Sequence, residues 1–104
     1  MKNILITMIL PTTREQGGPL PIEEIRGTVL ALSSDGGANW APIGTENTPD
    51  VLQVPVNDLP VGADYQVRGI VFDTLDQASN PVFVPFEIVD DSPPGALDLT
   101  VTFP

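Results

Sequence analysis

Apolar residues come in short runs along this chain, each closed by a cluster of Pro, Gly, Asn or Asp. That punctuation predicts strands rather than helices. The first run spans Asn3–Leu10, with Ile and Leu on both alternations, so both of its faces are expected to be at least partly covered. A loop, Pro11–Pro21, carries the turn signal Gly17-Gly18-Pro19. The second strand is expected over Glu24–Ser33, with Ile25, Val29, Leu30 and Leu32. Asp35-Gly36-Gly37 reads as a hairpin turn into a short strand, Asn39–Ile43, that holds Trp40. After the loop Thr45–Pro49, Val51–Val56 alternates until Pro55 marks it as an edge strand. Asp64–Asp73 and Val82–Ile88 supply two more strands, joined by a tight turn over Thr74–Asn80. Asp90–Gly95 is an acidic Pro/Gly break. Ala96–Phe103 then alternates Leu97, Leu99, Val101 and Phe103 with Asp98, Thr100 and Thr102, as a seventh strand.

Composition agrees with this reading and narrows the function. A length of 104 residues makes one domain, 1–104, with a modest core. The 41% hydrophobic content is that of a folding chain, and twelve Pro with nine Gly disfavour long helices. Without Cys there is no disulfide framework, thiolate metal site or Cys nucleophile. Met1-Lys2-Asn3 and the apolar run after it superficially suggest a signal peptide. That reading is rejected, because one Lys precedes the run and no small-residue cleavage site follows. The run is also too short to span a bilayer. Four Lys and Arg stand against fourteen Asp and Glu, a net charge of −10. Nucleic acid and anionic membranes are therefore not expected partners. The acidity itself reads as solubility.

One stretch carries more. Asp58-Leu59-Pro60-Val61-Gly62-Ala63-Asp64-Tyr65 sets a Leu six residues before a Tyr, with Pro and Gly between, ahead of the strand Gln66–Phe72. This resembles the E–F tyrosine corner of fibronectin type III-like β-sandwiches, where the Tyr hydroxyl bonds to backbone just upstream. The likeness extends along the chain. Met8-Ile9-Leu10-Pro11 resembles the end of a B strand, and Pro19–Gly27 resembles a B–C loop and the start of strand C. Ser34–Trp40 resembles a C–C′ hairpin, and Asp73–Pro81 an F–G loop. Met8 replaces the family's B-strand Trp, and Gly69 sits where strand F usually carries a core aliphatic. The chain opens at the B-like strand, while Asp91–Val101 resembles an interdomain linker and A strand. The resemblance thus implies an all-β, two-sheet antiparallel sandwich of the fibronectin type III or immunoglobulin kind. It has about seven strands and a permuted order, with residues 90–95 as linker and 96–103 as the A-like strand. That last strand is expected to fold back beside the first, with exchange into a neighbouring copy as the alternative.

Chemistry is sparse. There is no His, and Ser33, Ser34, Ser79 and Ser92 have no obvious activating partner, so no enzymatic activity, catalytic residue or cofactor is expected. Asp73, Asp76 and Asn80, with Asp90-Asp91, invite a calcium site, but no Asp-x-Asp-x-Asp-Gly loop is present and no metal is expected. Trp40 is read as packing beside the hairpin in preference to stacking on a sugar. If Tyr65 points inward, alternation sends Val67, Gly69 and Val71 the same way and Ile70 and Phe72 outward. Val29, Ala31 and Phe83 join the outward set, giving an apolar interface patch on one sheet face, with Leu59 and Tyr65 as the structural corner. A single-residue slip in register, or the Pro11–Pro21 loop lying over the sheet, would remove the patch. The resemblance implies a non-enzymatic structural module like those of bacteriophage decoration proteins, docking on a capsid or tail protein in the virion. The alternative is a carbohydrate- or cell-surface-binding, or calcium-dependent adhesion, domain of a larger extracellular protein.

Overall fold

Among the described residues six strands form: β1 (Lys2–Thr7), β2 (Ile25–Ser33), β3 (Ala41–Pro42), β4 (Gln53–Leu59), β5 (Gly62–Asp73) and β6 (Val82–Ile88). A one-turn 3-10 helix, Ile22–Glu24, precedes β2. The computed structural model describes residues 1–89, 94–97 and 99–103. Pairing is antiparallel throughout, in two sheets: β1-β4, and β3-β2-β5-β6.

The two sheets meet through a small apolar centre. Leu59, Tyr65 and Ile88 are buried, and Ile4, Leu32, Val56 and Phe86 pack against them. Tyr65 stacks on Phe86 with ring centroids 5.1 Å apart. Along β1 and on to Leu10 the alternation is one-sided. Ile4, Ile6, Met8 and Leu10 are half-buried, whereas Leu5 is 57% and Ile9 95% exposed. The expected cover on both faces is therefore corrected: a two-stranded sheet has only one sheet behind it.

Strand boundaries moved where side chains compete with pairing. The hairpin turn after β2 is built by Ser33, whose Oγ donates to Asp35 (2.8 Å) and accepts from the Gly37 N–H (2.9 Å). Asp35 in turn accepts from the backbone N–H and side-chain amide of Asn39. Gly36 and Gly37 take the positive φ the turn requires, 73° and 96°. With residues up to 39 engaged in the turn, only Ala41–Pro42 of the expected Asn39–Ile43 strand pairs. The strand expected over Val51–Val56 lies at Gln53–Leu59 instead. Pro55 costs a central strand one ladder bond but an edge strand nothing, so β4 continues to the corner.

The Pro11–Pro21 loop is itself a small hairpin. Leu20 donates to the Thr12 carbonyl and Arg14 to that of Gly18. The Arg14 guanidinium fixes it to the start of β2 and the end of β5, 2.9 Å from Glu24 and 3.0 Å from Asp73.

The described residues of the expected strand Ala96–Phe103 form no strand. The described residues of that segment are exposed and unpaired: Leu97 is 79%, Leu99 82%, Val101 81% and Phe103 90% exposed. No pairing of that segment with β1 is seen among the described residues. The molecule measures 83 × 26 × 24 Å. The linker residues 90–93 lie outside the described residues.

Candidate functional site

Register decides which side chains share a face, because residues directly opposite in an antiparallel pair point the same way. Tyr65 faces inward and is buried, and its hydroxyl donates to the Pro60 carbonyl at 2.7 Å. Tyr65 lies opposite Phe86, Val67 opposite Leu32 and Val84, and Gly69 opposite Leu30 and Val82. All of these take the inner face. Val29 opposite Ile70, Ala31 opposite Arg68 and Pro42, and Phe83 opposite Arg68 take the outer face, with Phe72 two residues beyond Ile70.

The outer face is not a plain apolar patch. Val29, Ile70 and Phe72 are half-buried and Phe83 is 50% exposed, but Ala31 is 4% exposed, hemmed in by neighbouring strands on both sides. Between the apolar groups stand two arginines. The Arg68 guanidinium lies over the Trp40 ring at 4.8 Å, and Trp40 meets Phe83 at 5.8 Å. Trp40 is aimed by its own indole N–H, which donates to the Gly37 carbonyl at 3.0 Å. Arg26 lies over Phe72 at 4.8 Å and also pairs with Glu46 at 2.8 Å and with Asp76. Neither Arg68 nor Trp40 belongs to the apolar set expected from alternation. Their contact joins positions 28 residues apart, and no local pattern signals it. The Pro11–Pro21 hairpin is tied to the far end of the sandwich by Arg14 and Leu20.

The acidic loop after β5 is organised by protein partners. Asp73 Oδ1 accepts from the backbone N–H of Gln77 (2.8 Å) and of Leu75 (2.9 Å), and Oδ2 accepts from Arg14. The Gln77 N–H, and next the Arg14 side chain, hold its carboxyl below the usual range against the opposing effect of burial. Asp76 pairs with Arg26, and Asn80 donates to Glu15. Among the described residues no group of three or more potential metal ligands converges. Asp90 and Asp91 lie outside the described residues. Ser33 is spent in its turn, and the Ser79 Oγ accepts from the Val71 N–H and donates to the Asn80 carbonyl. Ser34 is exposed, and Ser92 lies outside the described residues.

The inner face has a feature the sequence did not suggest. A two-stranded sheet cannot cover a four-stranded one, and between the end of β1 and the inner face of β2, β5 and β6 lies an apolar cleft of about 430 Å³. Ile6, Met8, Leu10, Leu30, Val67 and Val84 are among its lining residues. Gly69 contributes no side chain, and a Cβ there would meet only Leu30, at 3.5 Å. Val82 and Val84 face inward as alternation requires, yet they are 64% and 56% exposed, left uncovered by the described residues.

The arrangement thus offers two surfaces with binding chemistry, an aromatic and arginine-studded outer face and an open inner cleft. In comparisons with protein-family models, curated proteins and solved structures, no match was found.

Proposed function

We propose that this chain is a non-enzymatic structural module, a fibronectin type III-like sandwich that attaches to the protein surface of a larger particle. A capsid or tail protein is the proposed partner and the virion the proposed location. One observation carries the reading: the outer face of the large sheet sets Trp40, Arg68 and Phe83 in contact, beside Arg26 on Phe72 and half-buried Val29 and Ile70. Aromatic residues and Arg are the groups enriched at the centre of protein interfaces. Here they are preassembled, so docking orders few side chains. The tyrosine-corner hydrogen bond and the two-sheet arrangement support the family likeness, which by itself implies binding and not chemistry.

The test is co-sedimentation of the chain with purified capsids or tails. Phe83 is half exposed, so Phe83→Asp leaves the fold intact. It is expected to weaken particle binding at least tenfold, whereas Leu5→Asp on the back of the small sheet leaves binding unchanged. Equal binding by folded Phe83→Asp and wild type would refute the docking face. A sugar-binding role is less well supported, since Arg68 already occupies a face of the Trp40 ring.

A further inference from the structure

The cleft and the C-terminal segment fit one another. Four edge strands bound the two sheets, and three of them carry proline within the paired stretch: Pro42 in β3, Pro55 in β4 and Pro85 in β6. Proline in an edge strand removes a backbone donor and discourages a further strand. β1 has no proline. From Asn3 to Thr7 it pairs with β4 alone among the described residues, so its other edge has no described strand beside it there. That edge borders the cleft, which residues 6–11 help to line. Completing it takes an extended segment with apolar side chains on one face. Leu97, Leu99, Val101 and Phe103 form such a face, and all four are exposed. Seven residues of strand, 97–103, span about 20 Å, the length of the six-residue β1.

Exposure of the segment in its own chain selects the donor. β1 starts at the corner end of the sandwich, where Lys2 pairs with Leu59, and runs toward the cleft. β6 runs the other way, and its last residue, Ile88, reaches the corner end opposite Gly62. The chain's own C-terminal segment therefore sets out from the corner end. In the single chain that segment leaves Leu97, Leu99, Val101 and Phe103 exposed instead of laying them against β1. A second copy stacked against the cleft end delivers the same segment from the opposite direction, antiparallel to β1. Antiparallel pairing is more stable than parallel and is the sense of every other pair in the molecule.

We infer that residues 96–103 of one copy add as an antiparallel strand to the free edge of β1 in a second copy. There they bury Leu97, Leu99, Val101 and Phe103 in the cleft and join copies head to tail. The donated strand brings apolar surface to Val82 and Val84, which the single chain leaves uncovered. The inference does not depend on particle docking, which uses the opposite face of the large sheet.

Complementation between variants of the 104-residue chain tests it. Leu99→Asp/Val101→Asp spoils the donated strand, and Val82→Asp/Val84→Asp spoils the cleft. All four positions are exposed in the single chain, so both variants keep the fold. Light scattering of the wild type is expected to show mass rising with concentration. Each variant alone stays monomeric, and an equimolar mixture gives a dimer, because the first variant keeps a working cleft and the second a working strand. A wild type that stays monomeric at millimolar concentration overturns the inference. So does self-association of either variant, or a mixture that does not pair. A spin label at Phe103→Cys in the second variant fixes the direction. Broadening of the isotope-labelled first variant at residues 2–4 is the antiparallel result, and broadening at residues 8–10 overturns head-to-tail donation. Adding Phe83→Asp to both variants leaves the dimer intact, which separates this result from the docking face.

Discussion

The phenol of Tyr65 closes the chain between β4 and β5 with a single hydrogen bond, while its ring fills the space between the sheets. The two contributions can be separated. Tyr65→Phe keeps the ring and leaves the Pro60 carbonyl without its donor, an expected loss of about 1–2 kcal/mol in urea unfolding. Ser33 and Asp35 play the corresponding part in the hairpin turn. Hydrogen bonds from the Asn39 side chain and backbone, and then from Ser33, lower the Asp35 pKa to about 2. A carboxylate depressed in the folded state stabilises the fold above its unfolded pKa of about 4, and that contribution is lost as pH falls toward 2. Asp73 is displaced in the same direction. The urea midpoint is therefore expected to fall between about pH 4 and pH 2, with a shallower fall in Asp35→Asn. At this scale the sequence was legible where a motif is local, as with Leu59 and Tyr65. It was opaque for Arg68 on Trp40, where the partners meet only after the sheet forms.

At the scale of elements, alternation and turn residues located all six strands and assigned the faces of β2, β5 and β6 in agreement with the register. Errors fell at the edges. β4 lies further along the chain than expected, because its proline is harmless on an edge. β3 is shortened, because Ser33, Asp35 and Asn39 tie the residues before it into a turn. The apolar Ala96–Phe103 run has strand character but no strand beside it in its own chain, and periodicity cannot report whether a partner exists. One element contact tests the frame. A Cβ at Gly27 would sit 2.4 Å from the Asn47 carbonyl oxygen, which accepts from Thr28, so the 45–49 loop lies against β2 only because residue 27 has no side chain. Gly27→Ala is expected to push that loop away and cost about 1–3 kcal/mol, read as a lowered melting temperature with raised amide exchange at Thr28 and Asn47.

For the whole molecule, charge sets the conditions for assembly. With a net charge of −10, two copies repel each other at distances the surrounding salt controls. The donated strand is apolar on its buried face, so its own contribution changes little with ionic strength. Self-association is therefore expected to strengthen between about 0.05 and 0.5 M sodium chloride, as the screening length shortens, in sedimentation velocity at fixed protein concentration. An interface built mainly on ion pairs would weaken instead.

Three proline-bearing borders and one open border also give the protein a valence. Each unit can take one neighbour's ribbon and lend one of its own, so growth has a single axis and no branch points. Units that cannot lend become end-pieces, and a small proportion of them fixes the average length of a filament. The same count lets a row of intact units close into a ring if the curvature between them permits one.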